Sequence, residues 1–343
     1  MNKKFIYIAY TGGTIGMKNS KNGYVPMSGY LQKQINNMPD FHQPEIPNFI
    51  INEYQPLIDS SNMSPIDWQI IANDISINYE KYDGFIVLHG TDTMSYTASA
   101  LSFLLENLQK PVIITGSQIP LYEIRSDGRQ NLLNSLLIAA HYPICEVTLF
   151  FNNKLYRGNR TTKANANGFN AFISPNFTQL IEIGIQVRYI FKPLITDIRK
   201  NFKIHHVTPQ PIGVIIIYPG ISAKIIHNFL LQPVKALILC SYGVGNAPQN
   251  KKFLNELKIA YQRDIIIVNL TQCVSGSVNM KGYATGNSLA NVGVISGYDL
   301  TIEAALTKLH FLFCQNLSNK KIRQIMQKNI RGELTPENKY TFN

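Results

Sequence analysis

The sequence is poor in cysteine and has no long hydrophobic run. Its four cysteines, Cys145, Cys240, Cys273 and Cys314, are far apart, form no CxxC pair and have no histidine at the spacing of zinc ligands. The apolar start of the chain, FIYIAY at Phe5–Tyr10, gives way to glycines and is too short for a signal peptide or a membrane span. We therefore expect a cytoplasmic protein with reduced thiols, no metal site and no membrane contact.

Acidic residues are also scarce. Asp and Glu together number 21 against 32 Lys and Arg, which gives a formal net charge of +11. An excess of this size indicates nucleic-acid binding when it is concentrated on one surface. Here the basic residues are scattered, and adjacent ones form pairs such as Lys3-Lys4 and Lys251-Lys252. No nucleic-acid partner is expected, and an RNA-binding module is kept only as the non-enzyme alternative.

What is present is an alternation of strands and helices. The runs at Phe5–Tyr10 and residues 85–88 are rich in β-branched and aromatic residues, which favours buried strands. A helix over residues 95–108 and a strand over 112–115 complete a βαβ unit with a right-handed crossover. A helix over about 128–140 and a strand over 147–151 extend this predicted parallel sheet.

The length of 343 residues allows two cores, because single cores rarely exceed about 250–300 residues. Residues 152–210 are polar and are predicted to be irregular, after which the alternation restarts. The prediction is an α/β protein with a catalytic N-terminal domain over residues 1–190, a linker over 191–211 and a smaller C-terminal α/β domain over 212–343. The C-terminal elements predicted are strands over 213–218, 236–240 and 265–270 and helices over 222–231, 250–262, 302–314 and 319–328.

Two threonine-bearing glycine turns, TGGTIG at residues 11–16 and HGTDTM at 89–94, directly follow predicted strands. Ligands of parallel sheets bind beyond the carboxyl ends of the strands, so both turns are predicted to border one crevice. A threonine hydroxyl becomes a useful nucleophile when a base takes its proton and N–H groups await the oxyanion. Thr14 is a candidate for that role, although a threonine in a glycine turn also serves as a turn or cap residue.

The second turn adds Thr91 and Asp92, and the segment RGNRTTK adds Lys163. A desolvated lysine beside a carboxylate can relay protons. Spacing alone does not bring Lys163 near Thr91, so a solvated Lys163 and a helix-capping Asp92 stay open as alternatives.

The polar segment DSSNM, residues 59–63, suits an amino-acid ligand. Asp59 can hold an ammonium group and Ser60 a carboxylate. The alternative is a helix cap, since Pro65 stands at the first position of a predicted helix just beyond it.

A dinucleotide-dependent oxidoreductase is the rival enzyme. The first turn lacks the GxGxxG spacing, and Gly23 and Pro26 follow where a helix should begin.

The chain resembles the bacterial cytoplasmic (type I) L-asparaginases. The likeness runs from end to end through the segments TGGTIGM, GYVPMSG, DSSNM, LHGTDTM, TGSQIP, RSDG, LFFNN, RGNRTTK and YGVGNAPQN. It implies two α/β domains, an active site at the strand ends of the larger N-terminal domain, hydrolysis of L-asparagine and no metal or organic cofactor. Asn246 approaches a neighbouring subunit in that family, which implies a homodimer or homotetramer. The related tRNA-dependent amidotransferase subunit carries an extra domain before its first catalytic turn, whereas that turn begins here at residue 11.

The resemblance also implies roles for individual residues. Thr14 is the implied nucleophile, Tyr24 lies on a loop that closes over the substrate, and Thr91, Asp92 and Lys163 form the proton relay. The charged groups of the substrate are bound by Asp59, Ser60 and Ser61 together with Thr91 and Asp92.

Type I enzymes can also carry a second asparagine site in the C-terminal domain. Its positions here are Cys240, Ser241, Tyr242, Thr271 and Cys273. Relatives can have arginine in place of Cys240, and a thiol cannot clamp a carboxylate as a guanidinium does. Asparagine regulation is therefore not extended to this chain.

Overall fold

The computed structural model describes residues 3–21, 23–142, 144–194, 199–280, 282 and 284–335. The chain divides into two compact units, Met1–Val207 and Thr208–Asn343, each built around its own sheet. The predicted two-domain α/β fold is thereby confirmed. The extent of the linker, residues 191–211, stays a prediction.

The first unit contains the following elements. Its strands are β1 (Phe5–Tyr10), β2 (Met17–Ser20), β3 (Gly23–Pro26), β4 (Asn48–Glu53), β5 (Gly84–Leu88), β6 (Leu105–Glu106), β7 (Val112–Thr115), β8 (Val147–Phe151), β9 (Lys154–Arg157), β10 (Thr162–Lys163), β11 (Phe172–Ile173), β12 (Ile181–Ile183), β13 (Val187–Tyr189) and β14 (Lys203–Ile204). Its α-helices are α1 (Tyr30–Asn36), α2 (Pro65–Asn78), α3 (Met94–Leu104) and α4 (Gly128–His141).

The main sheet of this unit has eight strands in the order β13-β12-β9-β8-β7-β5-β1-β4. Strands β4, β1, β5, β7 and β8 are mutually parallel, and β9, β12 and β13 continue the sheet in antiparallel pairs. All residues of β5 are buried, as expected for a central parallel strand covered on both faces. A core that includes Ile8, Ile86, Ile113, Leu132 and Leu136 joins the sheet to α4. The glycine turns after β1 and β5 therefore lie at the same edge of the sheet.

Two predictions for this unit were wrong in detail. The helix predicted over 95–108 ends at Leu104, because Leu105–Glu106 pairs antiparallel with Lys203–Ile204 and Asn107 adopts a φ of 57°. The stretch from 152 to 210 is not irregular either. Asn152 and Asn153 have φ values of 48° and 63°, the conformation of a tight hairpin turn, and reverse the chain from β8 into β9.

The second unit has a four-stranded parallel sheet in the order β15 (Ile212–Ile216), β16 (Ala236–Ser241), β17 (Ile266–Thr271) and β18 (Ile295–Ser296). Its helices are α5 (Ala223–Leu231), α6 (Lys251–Gln262), α7 (Ala284–Asn291), α8 (Ile302–Phe313) and α9 (Asn319–Met326). The side chains of Ser222, Asn250, Thr301 and Ser318 cap four of these helices. The elements predicted in this unit are present within about two residues, and α7 and β18 were missed.

A buried ion pair fastens the end of the described chain to this unit. Lys308 and Glu333 are both fully buried, and Lys308 Nζ lies 2.5 Å from Glu333 Oε1. Lys308 Nζ also donates to the carbonyl oxygens of Met326 and Lys328, while Glu333 accepts from the backbone N–H groups of Ile330 and Arg331. Burial lowers the pKa of Lys308, and the Glu333 carboxylate opposes that shift.

Candidate active site

The two glycine turns are packed against each other and against Ile58 through backbone atoms, and Ser60 packs its side chain against the second turn. A Cβ atom added to Gly13 would lie 2.4 Å from the nitrogen and 2.5 Å from the Cα atom of Gly90, and one added to Gly12 would lie 2.2 Å from the carbonyl oxygen of Ile58. One added to Gly90 would lie 2.4 Å from Ser60 Oγ. Glycine is required at these positions by contact, and at Gly12 and Gly13 also by φ values of 136° and 91°.

Hydrogen bonds hold the three segments in this arrangement. Thr11 donates its N–H to Leu88 (3.0 Å), and Ile58 donates its N–H to Thr11 (2.7 Å). Thr93 Oγ1 donates to the carbonyl oxygen of Ser60 (2.7 Å). Thr14, half-buried, begins a short 3-10 turn (Thr14–Gly16) directly after Gly13. The structure thus brings the turn of Thr14 together with the turn of Thr91, as the strand-end argument predicted, and it places Ser60 beside them.

Lys163 lies against the second turn. Its Nζ atom donates to Thr91 Oγ1 (2.9 Å) and to Asp92 Oδ1 (2.7 Å). Strand β10 carries Lys163 there by pairing antiparallel with β11, where Lys163 is opposite Phe172. The side chain of Lys163 is 19% exposed, so it is not a solvated loop lysine. Asp92 is not the helix cap either, because the N-cap position of α3 is Thr93.

A glutamine that the sequence reasoning missed completes this cluster. Thr91 Oγ1 donates to Gln118 Oε1 (3.1 Å), and Gln118 Nε2 donates to the carbonyl oxygens of Ala166 and Gly168, both at 3.1 Å. Gln118 stands in TGSQIP, a segment noticed only as part of the family likeness. Its place directly after β7, at the same sheet edge as the two turns, is the signal that could have identified it.

His89 holds the second turn in place from the protein interior. It is fully buried, with Nδ1 2.7 Å from the carbonyl oxygen of Gly90 and Nε2 2.8 Å from Thr97 Oγ1. A carbonyl oxygen only accepts, so Nδ1 carries the proton and the Thr97 hydroxyl donates to Nε2. Burial lowers the pKa of His89 to about 4, so the ring is neutral near pH 7. The sequence reasoning gave this histidine no role.

The DSSNM segment forms a 3-10 turn over Ser60–Asn62. The exposed carboxylate of Asp59 caps this turn by accepting the N–H of Ser61 (3.0 Å). Helix α2 has its own capping box, formed by Ser64 and Asp67. Asp59 and the neighbouring serines are therefore not used as the cap of α2, and Asp59 and Ser61 are exposed beside the glycine turns.

Tyr24 lies on the hairpin formed by β2 and β3, opposite Asn19. Its ring is 47% exposed, and its hydroxyl donates to Glu123 Oε1 (3.4 Å). The N–H of Asn19 donates to the hydroxyl of Tyr122 (2.7 Å), which fastens the same hairpin to the same loop. Desolvation, together with the negative charge of Glu123, raises the pKa of Tyr24. Among the described residues, no hydrogen bond joins Tyr24 to Thr14.

The positions implied for a second asparagine site lie at one end of β16 and β17, where Ser241 is paired with Thr271. Thr271 Oγ1 donates to the carbonyl oxygen of Gly243 (2.5 Å) and accepts the N–H of Cys273 (3.0 Å). Tyr242 forms a bridge with Asn246. Cys240 is 1% exposed, and burial raises its pKa to about 11. A neutral, buried thiol stands at that position, and it supplies no positive charge for a carboxylate.

Within the described ranges, no three His, Cys, Asp or Glu side chains are grouped so as to hold a metal ion. No helix of the described chain is long and apolar enough to cross a membrane.

Comparison with known proteins agrees with this fold. The family description "Asparaginase, N-terminal" matches residues 5–194, and "Glutaminase/Asparaginase C-terminal domain" matches residues 211–326. The chain therefore belongs to the asparaginase family. It is 65% identical to L-asparaginase 1 of Escherichia coli (strain K12) over 337 residues, which cover 98% of this chain and 100% of that protein.

The chain is also similar to a human protein and to a solved bacterial structure. The 60 kDa lysophospholipase of Homo sapiens is 42% identical over 351 residues, covering 95% of this chain and 61% of that longer protein. The crystal structure of L-asparaginase I from Vibrio cholerae superposes with a TM-score of 0.91 at 59% identity, covering 97% of this chain and all of that one.

Proposed function

We propose that this protein is an L-asparaginase that hydrolyses L-asparagine to L-aspartate and ammonia. The observation that carries the proposal is the packing of Gly13 on Gly90, which sets the hydroxyl-bearing turn of Thr14 beside the cluster of Thr91, Asp92 and Lys163. Such an arrangement provides a nucleophile, an ammonium, a carboxylate and backbone N–H groups at one sheet edge. The reaction needs nothing further, and we propose that no cofactor takes part.

The reaction has two halves in this proposal. Thr14 Oγ bonds to the side-chain carbonyl carbon of asparagine, its proton passes to the leaving nitrogen, and the C–N bond breaks to release ammonia. The resulting aspartyl ester is attacked by water, the C–O bond to Thr14 breaks, and the proton of that water returns to Thr14. N–H groups of the glycine turns stabilise the oxyanion, each worth about 2.7–4 kcal/mol.

Thr91, Asp92 and Lys163 act as the proton relay in this proposal. The ammonium of Lys163 polarises the Thr91 hydroxyl at 2.9 Å, and Asp92 holds that ammonium at 2.7 Å. As the relay operates, Lys163 passes one proton to Asp92, and its neutral amine then takes the Thr91 proton while Thr91 Oγ1 accepts a proton from the attacking O–H group. Base catalysis of this kind contributes about 10² to 10⁴ in rate. The Tyr24 hairpin closes over the bound substrate, and the Tyr24 phenol, which is protonated near pH 7 like that of any ordinary tyrosine, enters the site as a hydrogen-bond donor.

The charged groups of the substrate are assigned to the rim of the site. Asp59 is exposed and the Asp92 side chain is 64% exposed, so both carboxylates are accessible to the α-ammonium group of asparagine. The hydroxyls of Ser60 and Ser61 are assigned to its α-carboxylate, and Thr91 is assigned to the same group through its backbone N–H, because its hydroxyl belongs to the relay. We further propose that the protein is cytoplasmic, in keeping with four free cysteines spread over the chain. We also propose that it forms a homodimer or homotetramer, as the family resemblance implies.

An ammonia assay tests the proposal. The enzyme without added cofactor is given L-asparagine or L-glutamine at sub-millimolar and millimolar concentrations, and ammonia release from asparagine is expected. In Thr14→Ala the rate should fall at least about 10³-fold with the fold intact, because the nucleophile is removed. Thr178→Ala, which removes an exposed hydroxyl of the same unit, should keep full activity. Full activity in a folded Thr14→Ala variant contradicts the role of Thr14.

A further inference from the structure

The direction of the hydrogen bonds around Thr91 is fixed by the chemistry of its partners. The ammonium of Lys163 has only donors, so Thr91 Oγ1 must accept from it at 2.9 Å. The single proton of the Thr91 hydroxyl is then free to point elsewhere. Gln118 Oε1, 3.1 Å away, is the acceptor that takes it.

The amide of Gln118 cannot turn round to change this. Its Nε2 atom faces two carbonyl oxygens, those of Ala166 and Gly168, each 3.1 Å away. Carbonyl oxygens only accept, so nitrogen must face them and Oε1 must face Thr91. Both carbonyls belong to the connection between β10, which carries Lys163, and β11. Gln118 therefore joins the Thr91 hydroxyl to the segment that follows Lys163.

The backbone of Gln118 is equally constrained. Its N–H lies 3.0 Å from both carboxylate oxygens of Asp127, and the N–H of Ile119 donates to the same carboxylate (3.1 Å). Two residues further on, Leu121 donates its N–H to the carbonyl oxygen of Ile15 (2.9 Å), directly after Thr14. The loop that holds Gln118 is thus attached to the turn of the nucleophile as well.

From this geometry we infer that Gln118 is a positioning residue for the reaction, one that sets the orientation of the Thr91 hydroxyl. With its proton on Gln118 and one lone pair on Lys163, Thr91 Oγ1 has one lone pair left. That lone pair accepts a hydrogen bond from an O–H group in the site, either the attacking water or Thr14. The inference rests on the proposed function, because it assigns Gln118 to the relay of that reaction.

Steady-state kinetics of Gln118→Met test this role. The substitution keeps the length and approximate volume of the side chain but removes the acceptor, so the Thr91 hydroxyl is free to rotate. We expect kcat to fall about 10- to 100-fold while KM changes less than about threefold, since Gln118 acts through Thr91 and does not bind substrate. Gln130→Met, an exposed glutamine on α4, is the matched control and should leave both constants unchanged.

Gln118→Glu tests whether the two carbonyls fix which atom of this side chain faces Thr91, whereas the separation of kcat from KM in Gln118→Met is the readout that a purely structural role would not move. The ionised carboxylate accepts from Thr91 but sets negative oxygens against the two carbonyls, whereas the protonated acid donates to a carbonyl and still accepts from Thr91. The ratio of kcat in Gln118→Glu to kcat in Gln118→Met should therefore rise as the pH is lowered. If Gln118→Met does not fold, this pH dependence is measured for Gln118→Glu against the wild type.

The outcomes separate the two proposals. Absence of ammonia release by the wild type contradicts the proposed function itself. Wild-type kcat in Gln118→Met, a loss confined to KM, or the absence of the pH-dependent recovery in Gln118→Glu overturns the role of Gln118 while leaving the proposed function in place.

Discussion

The contact between the two glycine turns predicts a specific effect of Gly13→Ala. The added methyl group would lie 2.4 Å from Gly90 N and 2.5 Å from Gly90 Cα, which are backbone atoms and cannot move aside as a flexible side chain does. Overpacking of this kind costs about 1–3 kcal/mol. The φ of 91° adds about 1–3 kcal/mol for any residue with a Cβ atom. We therefore expect Gly13→Ala to lower the free energy of unfolding by about 2–6 kcal/mol.

Gly23 provides a matched control for this measurement. Its φ of 93° is nearly that of Gly13, but a Cβ atom added there has nothing within 4 Å. Gly23→Ala should therefore show the backbone contribution alone and be less destabilised than Gly13→Ala by the overpacking share, about 1–3 kcal/mol. Activity of Gly13→Ala should also fall, since a shift of Thr14 by about 1 Å costs about 10²-fold in rate.

The assay can be restricted to the unit that holds the site. The single tryptophan of the sequence, Trp68, is buried in α2, so its fluorescence during urea unfolding reports on that unit. The ammonia assay gives kcat for the same samples. Equal losses of stability in Gly13→Ala and Gly23→Ala, or wild-type kcat in Gly13→Ala, would refute the idea that the contact of the two turns positions Thr14.

Two further predictions concern buried titratable groups. The pKa of His89 is about 4 when folded and 6.5 when unfolded, so the unfolded chain binds the proton first as the pH falls, and the stabilisation present above pH 6.5 is lost towards pH 4. From pH 7 to pH 5, His89 should lower the free energy of unfolding, measured in urea, by about 2 kcal/mol. In His89→Asn the free energy of unfolding should depend less steeply on pH. The same pH dependence as in the wild type would contradict this. Lys308→Met should destabilise by about 3–5 kcal/mol because Glu333 is left buried without its cation, and the double variant with Glu333→Gln should recover part of that loss; additive effects in the double-mutant cycle would contradict the pairing.

Much of the fold could be predicted because its signals are local. The buried strands β1 and β5 are continuous apolar runs, and the helices of the second unit begin at capping residues such as Ser222 and Asn250. The short strand β6 could not be predicted, since Leu105–Glu106 forms it by pairing with residues almost 100 positions away. Pairing over such a distance leaves no periodicity in the sequence. The Asn152-Asn153 hairpin did leave a local signal, and it was overlooked.

The site, like the fold, was predictable where its signals are local and not where it depends on long-range pairing. That the two turns share an edge followed from the rule for parallel sheets, and the structure adds how closely they pack. The position of Lys163 depends on the pairing of β10 with β11, which the letters RGNRTTK do not reveal. Gln118 and His89 were missed because both act through hydrogen bonds to other residues of the site, and such bonds have no motif of their own.

The frame of the site is made of main-chain atoms, and this separates its shape from its chemistry. Gly12 and Gly13 meet Ile58 and Gly90 through backbone atoms alone, so exchanging the hydroxyls and carboxylates that project from the frame need not disturb it. A scaffold of this kind can change its substrate in small steps. A library that varies residues 59, 61 and 24 while keeping these glycines and the buried Ser60 should therefore contain mostly folded proteins, and selection could act on specificity independently of stability.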